Sequence, residues 1–145
     1  MMGTVVRKAT RGDERDLFVL ARSFPTPTPP EFSVFRHAFK SMLADFSSAL
    51  FVAELDGRLV GYLAGYSHIT FYAGGYTAWV DEILVSPDHR GSGIGKRLME
   101  NFEVWARQQD CVLVGLATAG ASAFYEQLGY ASKAGYYKKY LRAVT

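Results

Sequence analysis

The segment at residues 85–98, VSPDHRGSGIGKRL, limits the possible folds of this chain more than any other feature of its sequence. An apolar run ends at Val85, glycines follow at positions 91, 93 and 95, and an amphipathic helical pattern begins directly after them. Glycines let backbone N–H groups approach a ligand closely, and the first turn of a helix has unpaired N–H groups with partial positive charge. The segment therefore predicts an anion site suited to a phosphate or a pyrophosphate.

Basic side chains surround this predicted site, at Arg90, Lys96 and Arg97. The spacing excludes two common phosphate motifs. A Walker A loop would need glycine at position 90 and serine or threonine at position 97, where both residues are arginine. A dinucleotide-binding loop would need a small residue at position 96 or 98, where the chain has Lys96 and Leu98. A plain flexible turn is the alternative, but it would not need three glycines and their cost in conformational entropy.

Hydrophobic patterns elsewhere predict an α/β fold with a mixed sheet. Strands are predicted at residues 4–9, 50–55, 58–66, 76–85, 111–116 and 136–141. Apolar stripes of helical period occur at 17–24 and 32–46, and further helices are predicted at 93–108 and 119–128. The first strand is expected at a sheet edge, the apolar strand 111–116 is expected to be buried, and 136–141 is expected to close the sheet.

Turn and cap residues support these boundaries. Thr10 and Asp13 have the spacing of a capping box, and Asp56-Gly57 is a strong hairpin signal. Gly129 stands where a left-handed helix cap is expected. Four prolines at residues 24–30 predict an extended loop between two helices.

Length and composition indicate a single globular domain over residues 1–145. The formal net charge of +2 and the scattered basic residues give no support for nucleic-acid binding. No apolar stretch approaches the ~20 residues of a membrane span. One cysteine, Cys111, permits no intramolecular disulfide, so a reducing, cytoplasmic location is expected. His37, His68 and His89 are too widely spaced to predict a metal site.

The loop at residues 90–95 resembles the acyl-CoA pyrophosphate loop of the GNAT superfamily of N-acetyltransferases. In that pattern an arginine or glutamine is followed by two residues, a glycine, one residue, and a glycine or alanine, which Arg90, Gly93 and Gly95 match. A second family signature, FYEQLGY, follows at residues 124–130. The resemblance covers residues 50–140 well and the first helices loosely. It implies a mostly antiparallel mixed sheet that is splayed at its centre and flanked by helices, with acetyl-CoA as the acetyl donor.

The resemblance also implies which residues bind the donor. Main-chain groups at the end of the strand that precedes the loop would pair with pantetheine and polarise the acetyl carbonyl, and these belong to Ile83, Leu84 and Val85. The pyrophosphate would lie over the loop residues Arg90, Gly91, Ser92, Gly93, Ile94, Gly95 and Lys96. Thr118 stands where many family members have an asparagine that contacts the pantetheine.

Three residues are candidates for proton transfer. Tyr125 matches a family tyrosine that protonates the departing thiolate, although an aromatic residue at this spacing also suits helix packing. Asp81 and Glu82 match an acidic pair of diamine acetyltransferases, and either could accept a proton from the amine, directly or through water. Because they are adjacent on a strand, they are expected to point to opposite faces, so that only one faces the cleft. Simple solvated charges are the alternative.

The sequence thus predicts an N-acetyltransferase that moves an acetyl group from acetyl-CoA directly to a primary amine of a small molecule or peptide. We expect the acceptor pocket to combine residues 25–35, the hairpin at 66–76 and Tyr125, whose aromatic residues and nearby acids suit a cation. The alternative is a non-catalytic acyl-CoA sensor, which would not need Tyr125. A homodimer is possible, since dimers are frequent in this family.

Overall fold

A computed structural model of the protein describes residues 3–142 and contains one five-stranded sheet in the order β1-β2-β3-β4-β5. Its strands are β1 (Val5–Lys8), β2 (Ser48–Leu55), β3 (Arg58–Thr70), β4 (Gly75–Val85) and β5 (Cys111–Leu116). The helices are α1 (Glu14–Ala21), α2 (Phe32–Ala44), α3 (Ile94–Gln108) and α4 (Ser122–Gln127), with short 3-10 turns at Arg11–Asp13 and Pro87–His89. The predicted mixed α/β architecture is confirmed.

The sheet opens between β4 and β5. The first three strand pairs are antiparallel, and β4 and β5 are parallel. Pairing of β4 with β5 ends at Val80 opposite Leu116, while pairing of β4 with β3 continues to Val85 opposite Gly61. The last five residues of β4 therefore have a strand on one side only. This is the splayed sheet that the family resemblance implies.

Helices cover both faces of the sheet. On the first face, α3 and α4 pack on a cluster centred on Phe102, which is fully buried together with Leu98 and Met99. On the second face, α1 and α2 pack on a smaller cluster that includes Leu17 and Phe39. Burying these apolar side chains supplies the main stabilisation of the fold, at roughly 1.5–3 kcal/mol for each fully buried large residue.

The local signals behave as the sequence predicts. Asp56 and Gly57 both have positive φ, 52° and 76°, which is the geometry of a tight hairpin turn between β2 and β3. The N–H of Thr10 donates to Asp13 Oδ2 at 2.7 Å, as in a capping box. Gly129 has φ 94° just after α4, and the prolines lie in the loop between α1 and α2.

Two strand predictions are wrong in part. The segment 111–116 is a strand, but Val112 and Leu113 are exposed because β5 is an edge strand of the described sheet, opposite β1. The segment 136–141 pairs with no described strand. It follows α4 and reaches the α1–α2 side of the sheet, where Lys138 and Tyr140 line a cavity. This path takes it away from the free edge of β5.

Candidate active site

The glycine-rich loop has the geometry of an anion site. Gly91 and Gly93 have φ values of 78° and 85°, and no atom lies within 4 Å of where a Cβ would stand at either position. Gly93 is the N-cap of α3, and the first hydrogen bond of that helix runs from the Arg97 N–H to the Gly93 carbonyl at 3.1 Å. The N–H groups of residues 94–96 precede that bond and have no partner within the helix. The loop thus presents unpaired donors at the positive end of a 15-residue helix.

Gly95 has a different role from its two neighbours. A Cβ at this position would lie 3.3 Å from the ring of Phe124. The missing side chain of Gly95 thus lets α4 pack closely on α3, a packing role that the sequence analysis does not assign to it. The N–H of Gly95 still belongs to the unpaired first turn of the helix.

Two of the three predicted cations remain beside the loop. Arg90 Nε donates to the carbonyl of Val85 at 3.1 Å, which places its guanidinium between the end of β4 and the loop. Lys96 is exposed on the first turn of α3. Arg97 Nη1 instead donates to the carbonyl of Thr4, so Arg97 fixes the start of β1. The fixed charge at the loop therefore comes from Arg90 and Lys96.

The acidic pair lies at a β-bulge where the sheet opens. Glu82 pairs with Ala64 and Val80 pairs with Gly65, so Asp81 is an extra residue with no partner on β3. A bulge interrupts the alternation of side chains along a strand. Asp81 and Glu82 consequently line the same cavity on the α1–α2 side. The prediction that they point to opposite faces is wrong for this reason.

The two acids differ in their partners. The hydroxyl of Tyr62 donates to Glu82 Oε1 at 2.8 Å, which fixes this carboxylate against β3. Burial, with the charge of Glu82, raises the pKa of Tyr62 above its usual range. Desolvation and the nearby charge of Glu82 raise the pKa of Asp81 to about 6. Asp81 is therefore the carboxyl that can exchange a proton near neutral pH.

Tyr125 lies on the opposite face from these acids. It is buried in the α3–α4 cluster, where the rings of Phe124 and Tyr130 stand at 77° to its own, with ring centroids 4.9 and 6.0 Å away. Its hydroxyl forms no hydrogen bond with any residue in the described range 3–142, whereas the hydroxyl of Tyr130 donates to Glu103 Oε2 at 2.6 Å. Burial raises the pKa of Tyr125, so its proton is retained.

Thr118 lies in the turn before α4. Its Oγ1 accepts a hydrogen bond from the N–H of Ala121 at 3.1 Å, immediately before the helix begins at Ser122. Because this turn occupies residues that the sequence assigned to the helix, α4 begins later than predicted. The structure places Thr118 near the end of β5 but gives it a cap-like role, and its contact with a donor remains a prediction.

A cavity of about 500 Å³ lies on the α1–α2 side, against Asp81 and Glu82. The predicted segment 25–35 contributes through Pro25, Pro30 and Phe35, among others. The aromatic hairpin at 66–76 does not line this cavity, and its tip residues Phe71 and Tyr72 are exposed instead. Phe32 also lies outside it, packed on Phe18.

Sequence reasoning missed the apolar residues that α1, α2 and the sheet contribute to this cavity, and it missed three polar ones: Tyr62, Lys138 and Tyr140. Tyr62 could have been found by aligning β3 with β4 around the bulge, because it lies near Glu82 only in that register. The sequence pattern assigns Lys138 and Tyr140 to a sheet strand, and no local signal indicates that the segment leaves the sheet. Within residues 3–142, no three metal-ligating side chains cluster, and no helix is long and apolar enough to cross a bilayer.

A comparison with known protein families identifies the family to which the chain belongs. A model of the Acetyltransferase (GNAT) family matches residues 14–130, which include the loop, the acidic pair and Tyr125. The chain belongs to the GNAT acetyltransferase family. The match begins at α1, so membership extends over the helices for which the sequence resemblance was loose.

One relative and two solved structures are similar to this GNAT protein over two thirds or more of its length. An uncharacterised N-acetyltransferase of Methanocaldococcus jannaschii is 32% identical over 103 residues, covering 68% of this chain and 46% of the relative. The chain spans about half the length of the first curated relatives it matches. A transcriptional regulator from Bacillus halodurans C-125 superposes with a TM-score of 0.85 at 25% identity, over 96% of this chain and 100% of that one.

The second structure is AAC(6')-Iy in complex with a bisubstrate analogue, CoA-S-monomethyl-acetylneamine. It superposes with a TM-score of 0.83 at 18% identity, covering 95% of this chain and 99% of that one. At this identity the likeness concerns the fold.

Proposed function

We propose that this GNAT protein transfers an acetyl group from acetyl-CoA to a primary amine, with donor and amine bound together. The observation that carries the proposal is the opening of the sheet after Val80. It has the glycine-rich loop and Tyr125 on the α3–α4 side, and Asp81 on the α1–α2 side. A donor and an acceptor that enter from opposite faces would meet there, and holding both in place supplies much of the rate enhancement.

The donor would bind along the one-sided end of β4 and the loop. Beyond Val80 the side of β4 away from β3 has no strand partner, so an extended pantetheine could add there as a strand does, along Ile83, Leu84 and Val85. The carbonyl of Val85 already accepts a hydrogen bond from Arg90 Nε. The loop N–H groups, Arg90 and Lys96 suit a diphosphate. The donor supplies an activated thioester carbonyl. The solved complex of AAC(6')-Iy with a CoA-containing analogue supports this use of the fold.

Asp81 is the proposed base. An amine reaches the site as an ammonium ion at neutral pH and must lose a proton before it attacks. A carboxylate with a pKa of about 6 is ionised above that pH and is basic enough to accept the proton, directly or through a water molecule. Glu82, fixed by Tyr62, adds a second negative charge that attracts the cation.

Tyr125 is the proposed acid. Its unpaired hydroxyl and raised pKa keep a proton available in the α3–α4 cluster, against which Ile83 and Val85 of β4 also pack. The departing thiolate would receive that proton as the carbon–sulfur bond breaks. The proton lost by the amine goes to Asp81 and the proton gained by sulfur comes from Tyr125, so bulk water restores both groups between turnovers.

Calorimetry and product mass test the proposal together. Acetyl-CoA titrated into the protein should release heat with a one-to-one stoichiometry. A panel of primary amines should then give free thiol and a product heavier by one acetyl group. Binding without acetylation of any amine would contradict the enzyme. An absence of binding would contradict the donor site itself.

A non-catalytic acyl-CoA sensor is the second candidate. The similarity to a transcriptional regulator from Bacillus halodurans C-125 favours it. A sensor would bind acetyl-CoA as the enzyme does but would not depend on Asp81 or Tyr125. The heat of binding without thiol release is therefore the result that would favour the sensor over the enzyme.

A further inference from the structure

The cavity beside Asp81 and Glu82 is apolar along most of its lining and negatively charged where these two acids line it. Its walls are mostly apolar side chains from α1, the proline-rich loop and α2, including Phe24, Phe35, Phe39 and Met42. The charged side chains that line it are the two acids and Lys138, and no arginine does so in the described part of the chain. The ammonium of Lys138 lies 5.2 Å above the ring of Tyr140.

Helix α2 explains why this cavity exists. Its residues at positions 34, 35, 38, 39 and 42 line the cavity on one face of the helix, yet Phe39 is the one side chain of α2 that is buried. Val34 is 62% exposed. An apolar helix face that stands off the sheet gains stabilisation when an apolar ligand displaces water from it.

We propose that the acceptor is a primary amine attached to an apolar body about the size of an aromatic ring, as in an arylalkylamine. The ammonium would lie at Asp81 and Glu82, and the ring would lie against Phe35 and the other α2 side chains that face the cavity. A volume of about 500 Å³ accommodates a ligand of one or two rings beside the reacting group. This inference rests on the proposed function.

The same walls disfavour polyhydroxylated and phosphorylated amines. Most hydroxyls of an amino sugar would lose their water partners, because apolar side chains outnumber the hydroxyls of Thr26, Thr28 and Tyr140 along these walls. A phosphate would lie near two carboxylates, and the lysine at the rim already interacts with Tyr140. Discrimination between amines is thus expected to follow the apolar body that carries the nitrogen.

A panel of three amines at saturating acetyl-CoA tests the inference by thiol release. We expect kcat/KM for 2-phenylethylamine to exceed that for ethanolamine by about 30-fold, as burial of a ring predicts, and to exceed that for glucosamine 6-phosphate by more. Equal values, or a preference for ethanolamine or the sugar phosphate, would overturn the inference but leave the acetyltransferase intact. If no amine in this panel or in a wider one gives thiol release, the proposed function itself would be overturned.

A positive charge introduced on the apolar wall tests whether the amine binds in this cavity, and the same charge outside the cavity is the control. Ala38 lines the cavity from an exposed position on α2, so Ala38→Arg is not expected to disturb folding. It should raise KM for 2-phenylethylamine at least about tenfold and leave the affinity for acetyl-CoA unchanged. Ser33→Arg adds the same side chain to α2 outside the cavity lining and should change neither value. An unchanged KM in Ala38→Arg, with the product still formed, would show that the amine does not use this cavity.

Discussion

The two faces of the sheet are built from similar sequence patterns and pack differently. Helix α3 buries six side chains against the first face, which are Ile94, Leu98, Met99, Phe102, Trp105 and Ala106. Helix α2 is nearly as long, with 13 residues, and buries one, Phe39. The closely packed face holds the loop and Tyr125, while the loosely packed face leaves a cavity beside the acids.

We infer from this difference that the first face holds the loop in position and that the second face binds the acceptor. A packed interior resists distortion, so α3 can hold the N–H groups of its first turn in fixed positions. A face with unfilled volume can accept a ligand without first displacing side chains. The comparison therefore predicts that substitutions on the first face act mainly on stability and the donor, and that those on the second act mainly on the acceptor.

The largest expected effect contrasts one phenylalanine from each face. Phe102→Ala removes a fully buried ring and should lower the free energy of unfolding by about 4 kcal/mol. Phe35→Ala removes a half-buried ring at the cavity wall and should cost about 1.5 kcal/mol, since water already reaches that volume. Urea unfolding, compared at equal m-values, measures both. Equal losses would remove the distinction between the faces.

The next effect tests the role of Tyr125. Tyr125→Phe should lower kcat about 100-fold, because a thiolate must then depart without the proton of the phenol. Affinity for acetyl-CoA should stay the same, as measured by calorimetry. Tyr130→Phe is the control, since it removes a neighbouring hydroxyl that is bonded to Glu103 and should leave kcat unchanged. A full rate in Tyr125→Phe would exclude this tyrosine as the acid.

A smaller effect is expected at Gly93. An alanine there must adopt φ near 85°, which strains an L residue by about 1–2 kcal/mol and shifts the N-terminus of α3. Gly93→Ala should therefore weaken acetyl-CoA binding about tenfold. Gly74→Ala provides the matched control, because Gly74 has φ 70° in the turn between β3 and β4, far from the loop in sequence. It should lose similar stability and keep its affinity for the donor.

The pH dependence of Asp81 is the next test. With a pKa of about 6, this carboxyl should be protonated at lower pH, so kcat/KM for the amine should fall about tenfold per pH unit below 6. Asp81→Asn should abolish this fall below pH 6 and lower kcat/KM at every pH. For two amines of different basicity, kcat/KM should begin to fall at the same pH. If that pH instead follows the basicity of the amine, the titrating group belongs to the substrate.

The same carboxyl gives the smallest effect, on stability. Its pKa rises from the ordinary aspartate value of 3.8 to about 6 on folding, so the folded state binds the proton more tightly. Any stabilisation is complete below pH 3.8 and is lost as the pH rises through 6. At pH 8, where the wild-type carboxyl is ionised, Asp81→Asn should therefore raise the free energy of unfolding above that of the wild type, and at pH 4 it should not. The gain should be a few tenths of a kcal/mol, because the side chain is only partly desolvated and solvent screens its charge.

The sequence predicted the first face better than the second for physical reasons. A glycine-rich loop between a strand and a helix is a local pattern, so its geometry at Gly91 and Gly93 was accessible without tertiary contacts. The path of residues 136–141 depends on long-range packing that no alternation of side chains encodes. The bulge at Asp81 is a register shift between β3 and β4, and a single strand carries no sign of it.

The central claim is that donor and amine occupy the opening between β4 and β5 at the same time. Initial rates measured while both acetyl-CoA and 2-phenylethylamine are varied test it most directly. We predict intersecting lines in double-reciprocal plots, as direct transfer within a ternary complex requires. Parallel lines, together with an acetylated form of the protein when acetyl-CoA is added alone, would contradict the account.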